Sequence, residues 1–126
     1  MISLPNVTLI SVATQNVDAT ARAMEYSCRG IQFGAKVIVS PYMPFNNINM
    51  EWVQIDAFPT IDHWNEYIVY SLWKHFTTDY CMLVHADGFI VNPDKWQDKW
   101  LEYDYCGSPW DLACAYAIQG GRGQPL

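Results

Sequence analysis

Apolar positions along the chain change period several times, and each change marks a new element. Residues 7–13, "VTLISVA", form an unbroken apolar and β-branched run, the pattern of a strand covered on both faces. In the following "NVDATARAMEYSCRGIQFG", Val17, Ala21, Met24, Cys28 and Ile31 recur at steps of four, three, four and three. That spacing predicts a helix with one apolar stripe, Asn16 or Asp18 as its cap, and Gly30 and Gly34 at its end. "AKVIVS" predicts a second strand, stopped by Pro41 and Pro44, and "WVQIDA" a weaker third. Thr60 or Asp62 caps a second helix over residues 62–76, on which Trp64, Ile68, Leu72 and Phe76 lie one turn apart. "DYCMLVH" is the fourth strand. Asn92-Pro93-Asp94 then has the chemistry of a helix start, with Trp96 and Trp100 stacked one turn apart on that helix.

The alternation of strands and helices predicts an α/β fold with a Rossmann-like, mostly parallel sheet flanked by helices. One domain is expected over residues 1–118, followed by a flexible tail, "QGGRGQPL", over 119–126. No internal repeat or second domain is visible.

Composition narrows the function classes. The chain is 51% hydrophobic and 15% aromatic, with six Trp and eight Tyr, which implies an aromatic core or apolar surface meant for a partner. The net charge of −6 argues against nucleic acid and anionic membranes, because no basic run exists to neutralise phosphates. An acidic protein that takes a phosphorylated small molecule needs a local device, a metal or a helix N-terminus. No apolar run reaches membrane-spanning length and no basic leader precedes one, so a cytoplasmic location is expected. Cys28, Cys81, Cys106 and Cys114 show no metal-like spacing and read as reduced thiols, mostly buried. Asn6-Val7-Thr8 matches a glycosylation pattern by chance, inside a strand.

The informative stretch is "CMLVHADGFIVNPDKW". In open parallel sheets, ligands collect beyond the carboxyl ends of the strands, which is where Asp87 falls. A carboxylate there suits a divalent cation, with Gly88 letting the backbone turn close to the ligand. His85, two residues earlier, offers a nitrogen ligand or a hydrogen bond on the same face. Asp-Gly between apolar residues is equally a type I′ hairpin signal, and a turn can present the carboxylate it contains.

"LPNVTLISVAT", "AMEYSCRGIQFGAKVIVS" and above all "DYCMLVHADGFIVNPDKWQDKWLEYDYCGSPW" resemble a family of bacterial and phage-associated, glycosyltransferase-like proteins with a nucleotide-diphospho-sugar transferase fold of the GT-A type. The resemblance runs to Trp110. It implies a nucleotide-diphospho-sugar donor approached by the loop after the first strand, Ala13-Thr14-Gln15. It also implies that His85-Ala86-Asp87 stands where relatives carry an Asp-x-Asp motif holding Mn2+ or Mg2+; only the second acid is kept, and His85 replaces the first. The family continues past "SPW" into an acceptor-binding half, whereas this chain has "DLACAYAIQGGRGQPL", so the resemblance implies a truncated or minimal form. Asp111 is then the one nearby candidate for the catalytic base.

Other residues carry weaker signals. Arg22, near the start of the first helix, is a candidate for the diphosphate, and Tyr103, Tyr105 and Trp110 for stacking on a base or sugar; a solvated face and ring packing are the plain alternatives. Asp56 ends the third strand and either joins Asp87 or caps a loop; His63 and His75 have no partner at ligand spacing. A metal-dependent phosphohydrolase is disfavoured, since a single strand-end acid supplies too few ligands for two metals. The competing class is a non-catalytic binding or assembly module, forming homo-oligomers through exposed aromatic surface.

Overall fold

A computed structural model describes residues 1–45 and 49–107. The chain divides into two compact units, Met1–Lys95 and a second beginning at Trp96. The first unit contains β1 (Ile2–Val12), α1 (Val17–Ser27), β2 (Ile31–Ser40), β3 (Glu51–Gln54), α2 (Ile61–Ser71) and β4 (Tyr80–Leu83). All three strand pairings are parallel, and the strand order is β3-β2-β1-β4. The fold is therefore α/β with a Rossmann-like parallel sheet.

Side chains alternate across the sheet, so each strand feeds two cores. Leu9, Ile38 and Val84 pack with Val17, Ala21 and Met24 of α1. Ile10, Val12, Val37 and Val39 face the other way and meet Trp64, Ile68, Leu72 and Phe76, the stripe expected on the second helix, together with Tyr67. β1 is central and closed on both faces: Leu9 and Ile10 are wholly buried.

β1 begins five residues before the expected start. Its early half pairs Ile2 with Ile31 and Leu4 with Phe33, after which the register breaks and Thr8 pairs with Ala35. The break holds Pro5, which has no N–H to give the ladder. Gly34 stands opposite. It does not end α1 as expected but lies inside β2, where a Cβ would come within 2.1 Å of the Pro5 carbonyl oxygen. Gly30 does follow the helix, at φ +83°. Asn6 has a structural task in this break: its side-chain amide donates to Asp79 Oδ2 (2.7 Å) and its oxygen accepts from the Asp79 N–H (3.1 Å).

The predicted helix after Asn92 does not form. Asn92 Oδ1 accepts from the Asp94 N–H, but the chain makes only a 3-10 turn at Pro93–Lys95. In the second unit another 3-10 turn covers Asp98–Glu102, and Gln97 before it is extended. Trp96 donates its indole N–H to Asp98 Oδ1 (2.7 Å), and its ring meets Trp100 edge to face, 5.2 Å between centroids. The two rings pair across a break, not along one helix. Cys28 and Cys81 are half-buried, and burial raises both thiols; Cys106 is exposed.

α2 tightens into a 3-10 turn at Leu72–His75. This brings the His75 ring parallel to Tyr67 (16° between planes), with Tyr67 Oη and His75 Nε2 sharing a 2.5 Å hydrogen bond. Burial lowers the His75 pKa, helped by Lys74 and opposed by Glu51; burial raises that of Tyr67. The folded state thus favours neutral imidazole over the charged form. Its stability contribution is complete above the unfolded pKa of 6.5 and is lost as pH falls through the lower folded value. His75→Gln is expected to flatten this part of the acid limb in urea titrations between pH 7 and 5; an unchanged limb contradicts the assignment.

Candidate functional site

In a parallel sheet ordered β3-β2-β1-β4, the chain runs outward in one direction from β1 to β3 and returns to the other side of β1 for β4. The loops after β1 and β4 consequently diverge and leave a crevice at the carboxyl edge, at the point where the strand order reverses. A cleft of about 660 Å³ opens there. One wall is the end of β1 and its loop, Ser11 to Asn16. The second is His85-Ala86-Asp87 after β4, and the third is Phe58 to Ile61 with Trp64, at the start of α2.

Local bonds hold these walls. Ser11 Oγ donates to the Val84 carbonyl (2.6 Å), and the Ala13 N–H donates to that of Val39 (2.9 Å). Trp64 donates its indole N–H to the Val12 carbonyl (2.9 Å) and packs its ring against His85, 5.4 Å between centroids. Thr60 caps α2 by accepting from the His63 N–H, and its hydroxyl shares a 2.6 Å bond with His63 Nδ1. His63 is thereby a capping partner. At α1, Asn16 occupies the cap position with φ +54° and makes no side-chain cap bond. Asp18 is engaged elsewhere, accepting from the Phe45 N–H (2.8 Å).

The turn after β4 closes between His85 and Gly88, whose N–H and carbonyl groups exchange bonds of 2.8 and 3.2 Å. Its tip is Ala86-Asp87, one residue earlier than the Asp-Gly hairpin expected from sequence. Among the described residues only Asn16 and Gly30 have positive φ, so this is not a type I′ turn. Asp87 is a turn residue, and the turn places it in the lining of the cleft. The segment beyond is pinned to α1, with the Ile90 N–H donating to buried Ser27 Oγ (3.0 Å) and Phe89 edge-on to Tyr26.

The structure brings together Ala13, Thr14, Gln15, His85 and Asp87 from two loops more than sixty residues apart. Two expectations are corrected. Arg22 lies mid-helix on the exposed face of α1 and does not line the cleft, because Ala21 and Met24 take the inner face. Gly88 is exposed, outside the lining, and has nothing within 4 Å of a Cβ position, so no close backbone approach requires it. Gly88→Ala is accordingly expected to change stability by less than about 0.5 kcal/mol in urea unfolding. Asp56 is exposed and also outside the lining. Trp110 and Asp111 lie outside the described residues. Sequence reading missed Phe58, Thr60 and Trp64, although the start of any helix that follows a parallel strand falls on this same edge.

Among the described lining residues there is one carboxylate, Asp87, and no Lys or Arg. No group of three His, Cys, Asp or Glu among the described residues is arranged to hold a metal by itself. A hard cation that keeps waters and binds phosphate oxygens needs only one or two protein donors, so Asp87 with His85 fits that limited role and no fuller one.

A family model described as "Protein of unknown function (DUF5672)" matches residues 47–123, over half of the chain. The chain belongs to the DUF5672 family. The matched region takes in β3, α2, β4 and the Asp87 turn, while β1, α1 and β2 precede it. No characterised protein and no solved structure matches the chain. No helix among the described residues is long and apolar enough to cross a membrane.

Proposed function

We propose that this DUF5672 member binds a nucleotide-diphospho-sugar in the cleft, as a glycosyltransferase-like domain of the GT-A type. The observation that carries the reading is the position of Asp87: a turn sets it at the rim of a crevice at the reversal of strand order, facing the loop after β1. The described lining residues of the cleft include no Lys or Arg, so among them a diphosphate needs a counter-charge brought with it. Asp87, with His85 as second donor, would hold Mn2+ or Mg2+, and the cation would supply that counter-charge to the diphosphate leaving group. Ala13, Thr14 and Gln15 provide neutral hydrogen-bonding groups along the donor, and Trp64 fixes the His85 ring by packing against it. Asp111 is the base in this reading. Titration calorimetry with UDP and GDP tests it: heat of binding is expected with Mn2+ present and none after chelation. Absence of heat with either nucleotide and either metal overturns the proposal.

A further inference from the structure

A second cavity, of about 240 Å³, lies where β3 begins and the chain leaves α2. α2 starts at the cleft, with Thr60 and Trp64, and its following 3-10 turn reaches this cavity, so the two sites sit at opposite edges of the sheet. Val37, Val53 and Phe76 give the cavity apolar lining, from the core face that α2 covers. Glu51 joins them from the first position of β3, and Lys74 and His75 from the 3-10 turn.

Glu51 and Lys74 are the only Asp, Glu, Lys or Arg among the described lining residues. Their charges are opposite, yet no ion pair joins them among the described residues: the Lys74 ammonium lies over the Trp73 ring, 5.9 Å from its centroid. Both act on His75, whose pKa Lys74 lowers and Glu51 raises, while burial favours its neutral form. A simple anion drawn to Lys74 is repelled by Glu51, and a simple cation meets the reverse. A molecule carrying both charges satisfies both residues at once. The volume is below the roughly 300–1,000 Å³ of sites for drug-sized ligands, so that molecule is small. We infer that this cavity binds an α-amino acid with a short apolar side chain. Its ammonium meets Glu51, its carboxylate meets Lys74, and its side chain rests on Val37, Val53 and Phe76. This inference does not depend on what the cleft binds.

Amide NMR titration of the full chain with valine tests it. Saturable shifts are expected at the Val37, Val53 and Phe76 amides, with a dissociation constant of about 1 mM for a small ligand held by exposed charges. Two analogues separate the charges: isovalerate lacks the ammonium, and isobutylamine lacks the carboxylate. Each is expected to bind at least about fivefold more weakly than valine. Glu51→Gln and Lys74→Gln each weaken valine by about fivefold. Glu51→Gln leaves isovalerate no weaker, and Lys74→Gln leaves isobutylamine no weaker, because each analogue loses only a repulsive neighbour. Both residues are exposed, so the amide spectrum of each variant is expected to keep the folded pattern. No saturable shift at roughly 10 mM valine, ten times the expected constant, overturns the inference. So does an analogue that binds as tightly as valine, or a variant that binds valine as the parent does.

Discussion

Gly34→Ala is expected to destabilise the protein by about 3 kcal/mol, at the upper end of overpacking costs. The clash is with backbone: the new methyl would sit 2.1 Å from the Pro5 oxygen and 2.8 Å from its carbonyl carbon. No rotamer change relieves it, so β1 and β2 must separate where the register already breaks between Leu4 and Thr8. The break itself follows from Pro5, which lacks the N–H that would bind β2 at that point. Thermal unfolding should fall by roughly 10 °C. A melting temperature within about 2 °C of the parent, the size of a mild surface change, contradicts the close approach. Because the break lies toward the start of β1, far along the strand from the cleft, ligand binding below the transition should survive.

Asp87→Ala is expected to act the other way, with little effect on folding and a large one on binding. The residue is exposed at the tip of a turn closed by backbone bonds between His85 and Gly88, so the turn keeps its fastenings when the carboxylate goes. Binding of a nucleoside diphosphate with Mn2+ should weaken by roughly 100-fold or more, which corresponds to about 2.7 kcal/mol. The magnitude follows from the lining: its described residues offer no other carboxylate and no Lys or Arg to take over. Asp87→Asn, which keeps an oxygen donor and loses the charge, should fall between. Equal affinity in parent and Asp87→Ala removes the metal anchor while leaving the fold untouched.

The parts of this fold that sequence made legible are those decided by local period. The α1 stripe through Val17, Ala21 and Met24, and the α2 stripe through Trp64, Ile68 and Leu72, repeat every turn and pack as that repeat requires. Asp87 and His85 were legible for a related reason: a strand run that stops at a short acid-bearing turn must deliver that turn to one edge of the sheet. What depended on distant partners was not legible. Gly34 looked like a helix terminator because its reason, Pro5, lies 29 positions earlier in the chain. Arg22 looked like a phosphate ligand because its nearness to Asn16 in sequence hides the turn of helix that points it outward. The Asn92-Pro93-Asp94 cap formed locally, yet the extended backbone at Gln97 ended the helix that should have followed.

The central claim is that a cation shared by Asp87 and a diphosphate holds the donor in the crevice between the β1 and β4 loops. Anomalous diffraction from a crystal soaked with UDP or GDP and Mn2+ measures this directly. The account expects a manganese peak in bonding contact with an Asp87 carboxylate oxygen, with phosphate density on its far side facing Ala13 to Gln15. A crystal in which nucleotide or manganese binds elsewhere and the Asp87 side chain contacts neither contradicts it.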